Sequence, residues 1–434
     1  MDKMADVLGR AGAWCGQNKY LSAIKNAFQN FMPLTIAGAI GVLWCNVLVN
    51  DQTGLGLFFK PIMALDFLNP AFQAVNFCTI SCITVGITLG IAQEIGIWNM
   101  GAERAGYIPG LVGLAAWLSV TNTSHMVDGA KEAFTGVAGN ELGATGLFTG
   151  MSIGVLSVEL FCFFEKQDAL KIKMPEQVPP GVARAFEVLV PATITLIITA
   201  CIGSACYNLT GLYLNDVIKN GIQGPLGAVG ATIPGVMIIY LVIMLFWLVG
   251  IHGNNMLSAV KEALFTPLAL ENVEAFNKGE TPKNIINMYA LQMWGEFGGS
   301  GVTIGLVIAI MIFGKREDNK AIATLSLVPG LFNINETVTF GIPMVLNPIL
   351  GIPFVFACLV TILVGYVLTV IGFCPVACLT VPWTTPPIVF GFLATGANVM
   401  GAVTQAILIV VSTVIYTPFL IAYEKYQNKQ AAEA

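Results

Sequence analysis

Charge is what this sequence has least of. Only 10% of its 434 residues are Asp, Glu, Lys or Arg, whereas soluble domains carry about a quarter. With 56% hydrophobic residues and a mean hydropathy of +0.78, the composition excludes an ordinary soluble core and reads as an integral membrane protein. The long apolar runs lack period-2 alternation, which excludes an outer-membrane barrel and leaves helices. A net charge of -5 without a basic block argues against nucleic acid as a partner. Neither GxxxxGK[ST] nor a strand-borne GxGxxG occurs, so no nucleotide or redox cofactor is expected. The ten cysteines include no CxxC pair and no Cys/His metal spacing. Cys45, Cys78, Cys82, Cys162, Cys201, Cys206, Cys358, Cys374 and Cys378 sit mostly inside apolar runs and Cys15 near the N-terminus, as packing residues do. No metal is expected.

Spanning a bilayer takes about 20 apolar residues. Stretches of that kind are 31–49, 74–93, 106–120, 145–164, 186–207, 232–251, 301–314, 353–373 and 402–423, while 255–297, 321–350 and 374–399 are apolar but interrupted. Residues 1–28 mix Asp2, Lys3, Asp6, Arg10, Lys19 and Lys25 with spaced apolar residues, the pattern of a cytoplasmic segment or interfacial helix and not of a cleaved signal. Most lysines and arginines fall in alternate loops: before the first span, at Arg104, from Lys166 to Arg184, from Lys315 to Lys320, and at Lys425 and Lys429. Only Lys60, Lys131 and Lys219 lie in the opposite loops, which puts both termini in the cytoplasm. A charged linker, Glu165 to Pro180, separates ordinary spans from a second half rich in Gly/Pro breaks such as Thr266-Pro267, Gly298-Gly299-Ser300-Gly301 and Val381-Pro382-Trp383. Irregular backbone at membrane depth is tolerated only where buried in protein or lining a wet cavity, and broken helices are where transporters bind substrate. The expected division is therefore a segment 1–28, a scaffold or oligomerisation domain 29–210, and a transport domain 211–434.

Two ionisable groups stand out against this background. His252 ends an apolar run in Trp247-Leu248-Val249-Gly250-Ile251-His252-Gly253-Asn254-Asn255, and Glu336 lies in Asn333-Ile334-Asn335-Glu336-Thr337. An ionisable side chain in hydrocarbon costs roughly 3 kcal/mol or more and is a functional-site hypothesis by default. No lysine or arginine occurs between Lys320 and Lys425, so Glu336 lacks a cation nearby in sequence and pairs more readily with His252 or a substrate hydroxyl. Gly250 and Gly253 admit close backbone approach, and Asn254 and Asn255 add donors and acceptors. His125, in the polar run Thr121-Asn122-Thr123-Ser124, is expected to be solvated. Gly299 and Ser300 open a span, either as a plain helix start or as backbone donors aimed at a polar ligand. Trp247 and Trp383 fit either sugar stacking or membrane-interface anchoring, and Glu296 either a site carboxylate or the end of a hairpin.

Taken together, Ala23-Ile24-Lys25-Asn26-Ala27-Phe28, Met32-Pro33-Leu34-Thr35, Trp247 with Gly250-Ile251-His252-Gly253, Gly298-Gly299-Ser300-Gly301, Asn333-Ile334-Asn335-Glu336, Phe340-Gly341-Ile342-Pro343 and Pro382-Trp383-Thr384 resemble an EIIC permease of the bacterial phosphotransferase system. The similarity is to the lactose/cellobiose/diacetylchitobiose family and covers nearly the whole chain. It implies an all-α polytopic protein of the bacterial cytoplasmic membrane with about ten spans, two re-entrant hairpins, a homodimer built by the N-terminal domain, and elevator-like movement of the C-terminal domain. It also implies that His252 and Glu336 flank the sugar hydroxyl to be phosphorylated, and that Trp247, Asn335 and Trp383 help hold a disaccharide. The phosphoryl group would come from a phosphocysteine on EIIB, recharged by EIIA, and with no such domain before Ala434 both are expected as separate proteins. A β-linked disaccharide, cellobiose or N,N'-diacetylchitobiose, is the expected substrate, with lactose next. The alternatives are a proton-coupled sugar symporter using Glu336 and His252 as a relay, and a passive channel or purely structural membrane protein. The motif set and basic cytoplasmic face favour the first reading over the second, and the clustered helix breaks disfavour the third.

Overall fold

The computed structural model describes residues 14, 17–51, 55–125, 134–175, 177–223, 225, 230–342 and 344–433. Most of the 1–28 segment, including Cys15, lies outside the described residues, as do Lys131 and Pro343. The chain divides into two compact units: one comprises Gln17–Gly38 and Ala74–Ala228, the other chiefly Ala39–Gln73 and Val229–Ala434.

The first unit is built on α1 (Lys19–Leu43) as far as Gly38, α2 (Ile83–Met100), α3 (Ile108–Val120), α4 (Leu147–Glu165) and α5 (Pro180–Thr210). Helix α2 packs on α3 and α4, and α5 lies against both of those. The contact works because small residues let the backbones approach, a common device where apolar helices gain little from leaving lipid. Thr84, Thr88 and Ala92 of α2 face Gly113 of α3 and Gly150 and Gly154 of α4. Ile87, Ile91, Ile95, Trp117 and Phe161 fill the remaining space and are fully buried or nearly so. Several polar groups inside this unit are paired across it. The Thr84 hydroxyl donates to the Gly143 carbonyl at 2.7 Å, Thr149 donates to Asn215 at 2.7 Å, and Asn26 of α1 donates to Glu94 of α2 at 2.8 Å.

Helix α4 ends on Glu165, an unfavourable sign for a helix C-terminus. Two arginines offset it: Arg104 Nε and Arg184 Nη1 each donate to Glu165 Oε1 at 2.8 Å. Both arginines also pair with Glu187, at 2.8 and 2.9 Å. Two residues of the expected basic face are thus already engaged with carboxylates. His125 differs from its expected solvated state. It is half-buried in a two-residue strand paired with Phe134–Thr135, and its Nε2 donates to the Asn122 carbonyl at 3.2 Å. The Asn122 side chain turns the chain there by accepting from Ser124 N, so the polar run bonds to itself.

The second unit contains α6 (Ile233–Leu248), α7 (Ser258–Asn277), α8 (Met288–Gly295), α9 (Ile304–Phe313), α10 (Glu317–Leu331), α11 (Gly351–Val370) and α12 (Val399–Glu433). Helix α12 packs on α9 and α11, α10 lies on α9, and α6 and α8 lie on α11. The short stretch 39–73 belongs to this unit, where Asn46 Nδ2 donates to Asn277 at 3.1 Å.

Each apolar stretch expected to span contains helix, with different limits. Helix α1 is continuous across residue 28, so the expected segment boundary is no structural break. The stretch 74–93 is not one helix: Asn69–Cys78 ends at Thr79, and α2 starts only after a 3₁₀ turn at Ile80–Cys82. The Thr79 hydroxyl donates back to the Val75 carbonyl at 2.6 Å, the kind of local side-chain bond that competes with helix continuation. Of the described helical segments, six are long and apolar enough to cross a membrane, and the bent pair α8–α9, turned by 60°, makes a seventh if counted as one span. Helices α3 and α6 are apolar but shorter. The 13 residues of α3 rise only about 20 Å against a hydrocarbon thickness near 30 Å, so length alone does not yield the count of ten.

The arginine clamp predicts a graded loss of stability. Glu165→Ala leaves two arginines sharing Glu187 and should cost about 2 kcal/mol, the exposure of Arg104 moderating the ~3–5 kcal/mol of a fully buried pair. Arg104→Ala, which leaves Arg184 on Glu165, should cost under ~1 kcal/mol. Thermal unfolding of the detergent-solubilised protein checks the order, and equal shifts would contradict it.

Candidate functional site

The His252 turn begins where α6 stops. The Phe246 carbonyl accepts from both Val249 N and Ile251 N, which closes the helix and turns the chain outward. His252 then caps the one-turn helix Gly253–Met256: its Nδ1 accepts from Asn255 N at 3.2 Å. A ring nitrogen that accepts carries no proton, so in the neutral imidazole the proton sits on Nε2. Nε2 is the atom nearest Glu336, 3.8 Å from Oε1, beyond direct hydrogen-bond length. The two side chains are 39% and 48% exposed, so this pair is open to a ligand and not sealed in the core.

Trp247 stands behind the histidine. Its ring lies 4.4 Å from the imidazole at a 47° tilt, and it is only 2% exposed. It therefore backs His252 and presents no ring face to solvent. Gly253 is buried against α6, where a Cβ would come within 2.1 Å of the Ile243 carbonyl, so only glycine lets the turn lie this close.

Glu336 opens the short helix Glu336–Gly341, where a carboxylate is favoured by the helix N-terminus. The residues before it hold the breaks together. Asn333 adopts φ 62°, a left-handed conformation that asparagine tolerates better than most residues. Its Oδ1 accepts from Gly298 N at 2.7 Å. Its Nδ2 donates to the carbonyls of Trp383 and Thr385, the latter at 3.1 Å. Asn335, 4% exposed, donates through Nδ2 to the Ser300 carbonyl at 2.9 Å and to Thr339 Oγ1 at 3.1 Å. Gly299 has φ 85°, and a Cβ there would fall 2.6 Å from that of Asn335, so the loop between α8 and α9 sits directly on the Glu336 segment. Ser300 is buried and its hydroxyl accepts from Asn254 Nδ2 at 2.9 Å. Trp383 remains 44% exposed, held by its backbone and with its ring accessible.

The residues expected from sequence thus fall into one connected set: His252 with Glu336 and Trp247, Asn254 with Ser300, and Ser300 and Gly299 with Asn335. Trp383 joins through Asn333. Three neighbours escaped the list of site residues. Asn333 was part of a motif, and its signal was an asparagine between glycine-bearing breaks. Tyr240 and Lys261 were not singled out. Lys261, only 6% exposed, is paired with Glu296, which also accepts from Tyr240 Oη at 2.7 Å. Lys261 also donates to Asn254 Oδ1 at 3.3 Å. The stretch 255–297 holds three lysines and five glutamates, so nothing local in the sequence marks Lys261 and Glu296 as a pair. Removing one member of such a buried pair typically costs about 3–5 kcal/mol, whereas replacing both is often neutral.

Residues 25–358 match the family model described as the phosphotransferase system, EIIC. The oligo-beta-mannoside-specific EIIC component of Bacillus subtilis is 33% identical over 98% of this chain and 94% of its own length. The cellobiose-specific EIIC component of Lactococcus lactis subsp. lactis is 29% identical over 98% of both chains. The crystal structure of ChbC, the IIC component of an N,N'-diacetylchitobiose-specific phosphotransferase system, superposes with a TM-score of 0.88, 29% identity and 97% coverage of each chain. With its apolar helices, the chain is a multi-pass membrane protein and belongs to the EIIC family of the phosphotransferase system, among its lactose, cellobiose and diacetylchitobiose members.

Proposed function

We propose that the protein is the membrane permease of a sugar phosphotransferase system in the bacterial cytoplasmic membrane, with both termini cytoplasmic, and that its substrate is a β-linked disaccharide, cellobiose or N,N'-diacetylchitobiose. The observation that carries this reading is the open His252–Glu336 pair, 3.8 Å apart and held by elements that meet at helix breaks. A carboxylate beside a donor-bearing imidazole suits a hydroxyl that must be oriented and then deprotonated.

In the proposed reaction a sugar hydroxyl sits against Glu336, which accepts its proton, while His252 Nε2–H orients the same oxygen. That oxygen attacks the phosphorus of a phosphocysteine on EIIB. The O–P bond forms as the P–S bond breaks, and the thiolate leaves with the electron pair. Phosphoryl transfer depends mainly on positioning and charge stabilisation. The donor is the phosphocysteine of EIIB, itself recharged by EIIA, so this chain needs no nucleotide loop. The exposed Trp383 ring offers an apolar face for a sugar, and Trp247 keeps the imidazole in place.

In the same reading the C-terminal unit carries the sugar inward by an elevator-like motion. The N-terminal unit forms a homodimer that stays fixed in the lipid, about ten spans and two re-entrant hairpins completing the architecture. A sugar phosphate is charged and does not recross the bilayer, so the chemistry makes transport one-way.

Two outcomes test this. In vesicles supplied with phosphoenolpyruvate and the partner proteins, accumulated sugar should be the phosphate and should survive an uncoupler. Free sugar that drains with the proton gradient would establish the symporter instead. Glu336→Gln should retain disaccharide binding while the phosphorylation rate falls by about 10²-fold or more, the usual scale for losing a general base. Unchanged phosphorylation would remove Glu336 from that role.

A further inference from the structure

The Lys261–Glu296 pair lies beside the proposed reacting groups without being one of them. The Lys261 ammonium meets Glu296 Oε1, sits 5.4 Å from the centre of the Tyr240 ring, and donates to Asn254 Oδ1 at 3.3 Å. Tyr240 is fully buried, and its hydroxyl donates to the same Glu296 oxygen at 2.7 Å. The lysine is therefore fixed from two sides, by a carboxylate and by an aromatic face.

An ammonium has donors and no acceptor, so the side chain of Asn254 must turn its carbonyl oxygen toward Lys261. Its NH2 is then committed to Ser300 Oγ, at 2.9 Å. Without the lysine this orientation loses its reason. A hydroxyl can donate as well as accept, so Ser300 would satisfy a flipped Asn254 equally well. The Ser300 carbonyl in turn accepts from Asn335 Nδ2 at 2.9 Å. Asn254 is two residues beyond His252 and Asn335 is the residue before Glu336. A chain of polar contacts thus runs from Lys261 through Asn254 and Ser300 to Asn335, and it meets the backbone two residues from His252 and one residue from Glu336.

We propose that Lys261, anchored by Glu296 and Tyr240, is a positioning residue: it sets the side-chain amide of Asn254 and, through Ser300 and Asn335, the spacing between His252 and Glu336. Lys261 touches neither the sugar nor the phosphoryl group. This rests on the permease reading above, in which that spacing decides the rate of phosphoryl transfer and has less influence on how tightly the disaccharide binds.

The test uses the full-length protein in vesicles with phospho-EIIB and whichever of cellobiose and N,N'-diacetylchitobiose the wild type phosphorylates. The paired variant Lys261→Met/Glu296→Gln removes both charges while leaving an acceptor for Tyr240, so neither member of the pair is left as a lone buried charge. It should bind the disaccharide within about 3-fold of wild type, while kcat falls by about 30-fold, within the range expected for a misplaced reacting pair. Asn254→Ala alone should lower kcat by a similar factor, and adding it to the paired variant should cost little more, because both changes break the same link. Lys261→Arg, which keeps a donor-only cation, should recover most of the rate. A kcat unchanged in the paired variant, losses that multiply when Asn254→Ala is added, or equal losses in binding and rate would overturn the positioning role alone. Wild-type vesicles that yield only free sugar would overturn the permease reading and this inference with it.

Discussion

Backbone polar groups released by a helix break inside a membrane protein must be paired within the protein, and the C-terminal unit depends on how it meets that demand. It does so with buried side-chain amides. Asn287 caps α8 by accepting from Tyr289 N and Ala290 N, at 3.0 and 3.1 Å, and donates to the Ala377 carbonyl at 3.1 Å. Asn272 donates to the same carbonyl at 3.0 Å. Gln405 of α12 accepts from Ile388 N and Gly391 N at 2.8 and 2.7 Å and donates to the Met293 carbonyl at 3.2 Å. Asn333 does the same for Gly298, Trp383 and Thr385. An amide offers a donor and an acceptor in one planar group and carries no charge to desolvate, so it can tie two breaks together at depth. Where these amides converge, the breaks converge too, and there the polar site forms.

Against that neutral framework, the two charge pairs beside these breaks are held in opposite ways. Lys261 and Glu296 are buried at 8% and 18% side-chain exposure, whereas His252 and Glu336 stand at 39% and 48%. The buried pair is fully engaged, with Tyr240 and Asn254 taking up further hydrogen-bonding capacity. The open pair is too far apart for a direct hydrogen bond and is exposed enough for a ligand to reach it. One pair suits the fixing of geometry and the other suits chemistry, and burial separates the two roles.

Much of this was legible in the sequence because the bilayer makes polar residues costly. His252 and Glu336 drew attention as ionisable groups next to glycine- and asparagine-bearing breaks, and the fold brings them to 3.8 Å. The same reasoning found Asn254, Ser300 and Asn335, which join in one hydrogen-bonded set. It did not find that Trp247 lies behind the histidine, because an apolar ring beside a polar turn reads the same whether it faces a ligand or the core. Lys261 was lost for a related reason: its partner Glu296 is 35 residues away, and nothing local shows that a loop will return to bury both. Boundaries were the least legible. Thr79 breaks an apolar run through a hydroxyl bond to its own helix, and hydropathy is blind to that.

The placement of asparagines also bears on why the site is assembled from several segments. A site on one continuous helix would have its backbone donors and acceptors consumed by the helix itself. Here the His252 turn, the Gly298–Gly301 loop, the Asn333–Glu336 segment and the Trp383 loop each contribute at a break, and side-chain amides hold each to the next. Small shifts of one segment must therefore be shared by its neighbours. The amide–hydroxyl link between Asn254 and Ser300 is the one joint that can reverse its polarity without losing a bond, since a hydroxyl serves either end of an amide. A donor-only cation at that joint removes the ambiguity at its source, which is why a buried lysine, costly in any membrane protein, is physically reasonable at that position and not at the reacting pair.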